Sequence, residues 1–494
     1  MFEKAELGNR VDKDTYAQEL PALRAQLLAA QRQLAEANFS VLILVSGVPG
    51  GGKSETVDRL LEWMDPRGIQ THAMSEWTDE ERQRPPMWRY WRRLPPNGHM
   101  GIFFGGWEHE LLVRGAFGKL EQLEIERRLD RYLSFERMLV QENVVLVKFW
   151  LHLSRRELKK RLKKLEKDPA QRWRVTRKDW KLFRRYDTFR SHAEELLRRT
   201  STGAAPWTIV ESVDRRFRNL TVGRTLLQAI QQRLEQVHNA PPRPAPQPIE
   251  LIPDARNLIN TLDLTQTVTE EEYREASRKI AARIGPLTRA LAGKQRSLLL
   301  VFEGADAAGK GGAIRRLTQA MDARDYQVIP FAAPTDEERA HPYLWRFWRH
   351  LPRLGKVTIY DRSWYGRVLV ERVEGFARPE EWQRAYSEIN DFEYELEEHG
   401  ILVRKFWLAI SAEEQLRRFE AREETPYKQY KITAEDWRNR ARWNSYEAAA
   451  CDMVARTSTE KAPWILVEAE NKLYARLKVL QTVEQTLEEA LSRR

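Results

Sequence analysis

An α/β architecture is what this chain predicts: two tandem three-layer domains, each a parallel sheet covered by helices on both faces. Three observations carry the prediction. The sequence repeats itself, short apolar runs alternate with helical patterns inside each repeat, and a glycine-rich segment follows the first run of each. Lys53, in the segment Ser46–Ser54, and Lys310, in the segment Glu303–Gly312, lie 257 positions apart. The same separation relates Trp88 to Trp345, Trp91 to Trp348, Trp107 to Trp364, Trp150 to Trp407, Trp180 to Trp437 and Trp207 to Trp464. A register held that long without a gap is a duplication. Residues kept in both copies mostly serve the fold; residues kept in one mark where function was retained or lost.

The first copy runs from about Val11 to His238 and the second from about Val268 to Arg494. Between them lies Pro241–Pro248, too rich in proline for a helix or a central strand, hence an extended linker. The expected division is therefore 1–240, a linker at 241–250, and 251–494. Each copy opens on an amphipathic helical stretch, Asp14 to Glu36 and Glu271 to Leu291. In the second copy the apolar runs are Leu298–Phe302, Val328–Phe331, Val357–Tyr360, Leu402–Ile410 and Trp464–Val467. Helical patterns separate them, which is the signature of a parallel sheet buried on both sides, here of about five strands.

Composition bounds the function. Across 494 residues, 42% are hydrophobic and 31% charged, as in a globular protein with substantial cores. No apolar run approaches the ~20 residues that span a bilayer, and Met1–Glu6 lacks a basic-then-apolar signal pattern. The lone Cys451 excludes an internal disulfide and a thiolate metal site. These features point to a cytoplasmic protein without a membrane partner. The net charge of +11 suits a polyanionic partner or a merely basic surface.

The glycines of the second copy, between a strand and the helix that starts near Ala313, form a phosphate-binding loop. Gly304, Ala307, Ala308, Gly309, Gly311 and Gly312 let consecutive N–H groups turn inward, the helix start adds partial positive charge, and Lys310 reaches the outer phosphates. Gly311 stands where a Ser or Thr ordinarily helps hold Mg²⁺. Asp306 inside the loop is a metal ligand, an orienter of the acceptor, or a turn residue. The strand Val357–Tyr360 then ends in Asp361-Arg362. A carboxylate at a buried strand end beside a phosphate loop suits a Mg²⁺ site, and Arg362 and Arg367 suit a phosphoryl group in transfer. At the matching positions the first copy carries Pro49 for Asp306, Phe104 for Asp361, Gly105 for Arg362 and Glu110 for Arg367. It reads as folded but inactive.

Arg346 and Arg349 share one helical face; they line a phosphate path or solvate the helix. Beyond Lys431, Thr433 is placed to cap a basic helix with Asp436 three residues on; that helix, bearing Arg440, would be a lid. Together, Gly304–Gly312, Tyr360–Tyr365 and Lys431–Trp437 resemble the second polyphosphate kinase family, and the two-domain layout is similar to its polyphosphate:AMP phosphotransferase branch. The resemblance implies P-loop kinase-like domains with helical lids, and Mg²⁺-assisted transfer of the terminal phosphate of inorganic polyphosphate to AMP. It places Asp306, Lys310, Asp361, Arg362, Arg367 and Glu371 in the active site, with polyphosphate in a basic channel under the lid; Arg367 and Glu371 are the nucleotide candidates, and Arg346, Arg349, Lys431 and Arg440 remain phosphate-binding candidates from the residues themselves. GMP as acceptor and a homo-oligomer stay open. So do an ATP-dependent nucleoside monophosphate kinase and a non-catalytic polyanion-binding protein, although Asp306 and Asp361 would repel a nucleic acid backbone.

Overall fold

The structure, a computed structural model, describes residues 1–74, 76–241, 245–254, 257–426, 429 and 432–492. Residues 242–244 of the expected linker, and Lys431, lie outside the described residues. Packing divides the chain into two units. The first comprises Met1–Trp77, Arg89–Arg243 and Thr335–Trp345, the second Thr78–Trp88, Pro244–Pro334 and Arg346–Arg494.

The first unit is built on five parallel strands: β1 (Ser40–Gly47), β2 (Ile69–Ala73), β3 (Met100–Phe104), β4 (Val144–His152) and β5 (Trp207–Glu211), in the order β2-β3-β1-β4-β5. Its helices include α1 (Lys13–Leu34), α2 (Lys53–Trp63), α3 (Arg177–Arg184) and α4 (Arg215–Asn239), with α1 packed along α4. The second unit repeats the plan with β6 (Ser297–Gly304), β7 (Tyr326–Pro330), β8 (Val357–Asp361), β9 (Ile401–Ala409) and β10 (Trp464–Glu468), again all parallel and in the same relative order. Its helices include α5 (Glu270–Ala290), α6 (Lys310–Gln319), α7 (Pro379–Glu398), α8 (Ala412–Glu423), α9 (Ala434–Ala441), α10 (Trp443–Thr457) and α11 (Lys472–Ser492). The expected α/β class, strand number and opening helices are all present.

Burial explains the near-continuous apolar strands. β6 and β9 are covered on both faces, and Leu298, Leu300 and Phe302 pack with Ile284 of α5 and Val479 and Val483 of α11. The repeated tryptophans Trp150, Trp348 and Trp364 are buried, whereas Trp437 on α9 stays partly exposed against Phe419. One charge is also kept in both cores. Lys405 on β9 donates to Glu393 Oε2 at 2.7 Å, to Tyr365 Oη at 2.9 Å and to the Thr457 carbonyl at 2.6 Å. Lys148 on β4 repeats this with Glu136 Oε2 and the Thr200 carbonyl, both at 2.6 Å.

The connections place the site. β6 is the middle strand; the chain runs first to the edge strand β7, returns to β8 beside β6, then crosses to β9 and β10 on the other side. The crevice at the carboxyl end of β6 is therefore a topological switch point, where open α/β sheets bind ligands. Gly304 closes β6 at φ +144°, and a Cβ there would stand 2.5 Å from the Leu408 carbonyl oxygen. Gly304→Ala is accordingly expected to cost about 1–3 kcal/mol in backbone strain, read as a lower urea midpoint.

Candidate active site

The loop from Gly304 to Gly309 turns under α6 because three of its residues adopt positive φ, Gly304 at 144°, Ala307 at 64° and Gly309 at 111°. Gly309 forms the N-cap of α6, so the first N–H groups of that helix face the loop. Lys310 folds back and donates to the carbonyls of Gly304 at 2.7 Å and Ala305 at 3.3 Å. From behind, Arg418 of α8 clamps the loop. Its Nη1 donates to Ala307 O at 2.9 Å and Ala308 O at 3.1 Å, and its Nη2 to Ala469 O at 2.7 Å and Glu470 O at 2.9 Å. Arg418 is only 4% exposed. One guanidinium thus ties the phosphate loop to the end of β10.

Two carboxylates and an arginine complete the mouth. Asp361 is the last residue of β8, in register with Phe302 of β6. Arg362 follows it at φ 66°, a left-handed conformation uncommon for a side chain of this size. Its N–H donates to the Phe302 carbonyl at 3.0 Å, so the main chain holds the strained turn. Arg362 Nη2 lies 3.4 Å from Asp306 Oδ1. The other oxygen of Asp306 accepts from Asn439 Nδ2 of α9 at 2.9 Å, and its carbonyl accepts from Gln415 Nε2 at 3.1 Å.

Two cavities meet at these side chains. One, of about 570 Å³, is lined by the loop with Lys310, Arg315, Asp361, Arg422 and Asp436. The other, of about 410 Å³, is mostly apolar, with Ile259, Leu264, Leu369, Trp407, Trp443 and Tyr446 in its wall. Asp306 and Arg362 belong to both walls. Glu303 opens onto the apolar cavity. Its Oε1 accepts from Ser363 Oγ at 2.8 Å. Burial pushes the Glu303 carboxyl above its usual range, outweighing that hydrogen bond and the attraction of Lys310 and Arg362. The folded chain therefore holds this proton more tightly than the unfolded chain, and stability falls as pH rises above the ordinary value of 4.5. Glu303→Gln keeps the acceptor oxygen and removes the charge. Its Tm is expected to match or exceed the parent's at about pH 8, with the difference vanishing below the unfolded carboxyl's pKa; a gain that persists unchanged into acid would contradict this.

Of the residues singled out in the sequence, the structure brings Asp306, Lys310, Asp361 and Arg362 to one mouth. Arg367 and Glu371 are set differently. They form an ion pair with each other, Arg367 Nε to Glu371 Oε2 at 2.7 Å, and line neither cavity. Arg346 donates to the Ala332 carbonyl at 3.0 Å, which borders the polar cavity, while neither Arg346 nor Arg349 lines it. Arg440 on α9 donates to Ala412 O at 2.6 Å and Gln415 Oε1 at 3.2 Å. Thr433 caps α9, its N–H and hydroxyl both donating to Asp436 Oδ2 at 2.8 Å. Sequence reasoning passed over Arg418, Arg422, Gln415, Asn439 and Glu303. For Arg418 a signal existed: Arg161 stands 257 positions before it.

The polyphosphate kinase 2 (PPK2) family pattern matches residues 10–238 and again 267–494. The chain is 52% identical over 491 residues to the polyphosphate:AMP phosphotransferase of Pseudomonas aeruginosa, covering 99% of each. It is 38% identical over 447 residues to the enzyme of the same name from Acinetobacter johnsonii, covering 90% of each. A crystal structure of a polyphosphate kinase 2 from Pseudomonas aeruginosa superimposes with a TM-score of 0.90 at 50% identity, covering 100% of both chains. With a loop and strand end of this kind in its second unit, and both halves matched, this chain belongs to the polyphosphate kinase 2 family.

Proposed function

We propose that the second unit transfers the terminal phosphoryl group of inorganic polyphosphate to AMP, forming ADP. The observation that carries this reading is the shared wall of the two cavities. A polar cavity at the phosphate loop suits a chain of phosphates, an apolar one suits a nucleoside, and Asp306 and Arg362 stand where the two ligands would meet. The full-length relatives named polyphosphate:AMP phosphotransferase support the choice of donor and acceptor.

The acceptor asks little of a base. A phosphate monoester with a second pKa of about 6 is already largely dianionic near neutral pH. The obstacle is bringing anions together. Lys310, once released from the carbonyls of Gly304 and Ala305, would reach the donor, and the Arg362 guanidinium would offer paired donors to the group in flight. Asp306, held by Asn439 and Arg362, would orient the acceptor rather than take a proton. Arg440, fixed to the start of α8, would hold the lid helix over the loop. Arg367 and Glu371, paired with each other, would brace the turn carrying Gly366 and Leu369 into the apolar wall.

The donor set fits a divalent cation such as Mg²⁺. Among the described residues no three acidic, His or Cys groups cluster as a self-sufficient metal site, but Asp306 and Asp361 share one cavity wall. One or two carboxylates completed by substrate phosphates and water is the arrangement Mg²⁺ prefers. When bound there, the cation would neutralise charge on the phosphates. The decisive assay supplies AMP and Mg²⁺ with either polyphosphate or ATP and follows ADP. Polyphosphate is expected to sustain turnover, ATP to sustain little, and a chelator to abolish it. Equal rates from both donors would turn the assignment toward an ordinary nucleoside monophosphate kinase.

A further inference from the structure

We propose that the first unit is a non-catalytic site for a linear phosphate chain, with its nucleoside pocket filled by the protein's own Phe2. The inference rests, for the pocket, on the reading of the apolar cavity given above.

The phosphate half of the site survives. Lys53 donates to the carbonyls of Gly47 at 3.1 Å and Val48 at 3.2 Å, the counterparts of the Lys310 bonds. Gly52 caps α2 in the left-handed region, as Gly309 caps α6. Beyond the loop opens a cavity of about 880 Å³, lined by Lys53, Lys119, Arg161, Arg174, Lys178 and Lys181 against Glu55, Asp58 and Asp179. Glu55 takes up Arg161 at 2.7 Å and Arg174 at 3.7 Å. Lys178 has one exposed partner, Glu76, at 3.5 Å. Lys53, Lys119 and Lys181 make no ion pair among the described residues. Burial pulls Lys53 down to about 8, against the attraction of Asp179 and Glu108. An anion entering the cavity would relieve this surplus of positive charge.

The chemical half is gone. Pro49 replaces the loop carboxylate, Phe104 ends β3 where Asp361 ends β8, and Gly105 follows it in place of Arg362. Phe104 itself lines the cavity.

The nucleoside half is occupied. Ile259, Trp407, Ala409 and Glu447 line the apolar cavity of the second unit. Their counterparts 257 positions earlier are Phe2, Trp150, His152 and Arg190. In the first unit the Phe2 ring is fully buried and stacks on His152, with centroids 4.5 Å apart and planes within 3°. Trp150 lies 6.1 Å away, and the Arg190 guanidinium stands 5.7 Å from the ring centroid. His152 Nε2 is pinned to Glu6 Oε1 at 2.8 Å. A flat aromatic ring thus sits, stacked, among the counterparts of the residues that line the apolar cavity of the second unit. Such a unit can hold phosphates, while the pocket matching the nucleoside site is filled by Phe2.

The test is a titration of the full chain with tripolyphosphate and, separately, with AMP, in Mg²⁺ at low ionic strength. Two equivalents of tripolyphosphate and one of AMP are expected. Lys53→Ala should reduce tripolyphosphate to one equivalent and leave AMP at one. The paired exposed-rim variant Lys178→Glu with Lys181→Glu should weaken the same class of sites, even if the loop variant folds poorly. Phe2→Gly should raise AMP above one equivalent. A single tripolyphosphate site in the parent chain, two sites indifferent to both sets of variants, or two AMP equivalents in the parent would overturn the proposal. So would tighter binding of a single-stranded oligonucleotide through the same lysines. Failure of AMP to bind at all would instead strike the catalytic assignment of the second unit.

Discussion

Asp361→Asn is expected to lower ADP formation at saturating substrates by about 10³-fold, the scale set by losing a principal electrostatic contact in a phosphoryl transfer site. The side chain keeps its size and the strand its register, since Asp361 enters the sheet through main-chain pairing with Phe302 and Pro330. Thermal unfolding should therefore stay close to that of the parent. What changes is the formal charge at a strand end that lines the loop's cavity, beside Lys310 and Arg362. Lys310→Ala should cost as much by a different route, because it withdraws the ammonium proposed to reach from the loop to the donor. A kcat lowered to this extent in each variant, with both circular dichroism traces unchanged, would support the assignment. Retention of more than about a tenth of parental kcat by either variant would place the chemistry elsewhere, since that is barely 1.4 kcal/mol of barrier.

Lys405→Ala is expected to destabilise the second unit by about 3–5 kcal/mol, because removing one partner leaves a buried carboxylate unpaired. Lys405 and Glu393 are both almost wholly out of water. Burial drives the lysine down and the carboxyl up, while their mutual attraction and the hydrogen bonds of Tyr365 and Trp364 oppose it. Truncation would also leave the Thr457 carbonyl, now 2.6 Å from the ammonium, without that donor. Pairing Lys405→Met with Glu393→Gln should recover much of the loss, since no lone charge then remains. Urea unfolding of the three chains provides the comparison. A double variant no more stable than Lys405→Ala would mean that packing, not the orphaned charge, sets the cost.

Much of this was legible in the amino-acid sequence because it depends on local chain chemistry. A run such as Leu298–Phe302 before glycines specifies a strand entering a phosphate loop, and the repeat distance fixed the corresponding elements of the other half. Asp361 at the end of β8 was legible for the same reason. What escaped was long-range. Arg418 lies more than a hundred residues from the loop carbonyls it holds, and only the folded crossover brings α8 behind them. Asn439 meets Asp306 through α9 in the same way. Arg367 and Glu371 stand four apart on a turn, close enough to satisfy each other, which no motif discloses. The apolar cavity was invisible because its wall draws on Ile259 and Leu264 as well as Trp407 and Tyr446, segments with no common pattern.

The residue after the strand end bears on the history of the duplication. Arg362 holds a left-handed backbone at φ 66°, and Gly105, at the matching place, holds φ 74°. A left-handed arginine carries a standing conformational cost that only use can justify, whereas glycine adopts the same shape freely. Were the first copy relieved of catalysis, selection would let that side chain go while preserving the bend. Across tandem chains built like this one, arginine or glycine at that single bend should therefore sort working copies from resting ones, a genetic fossil readable without an assay.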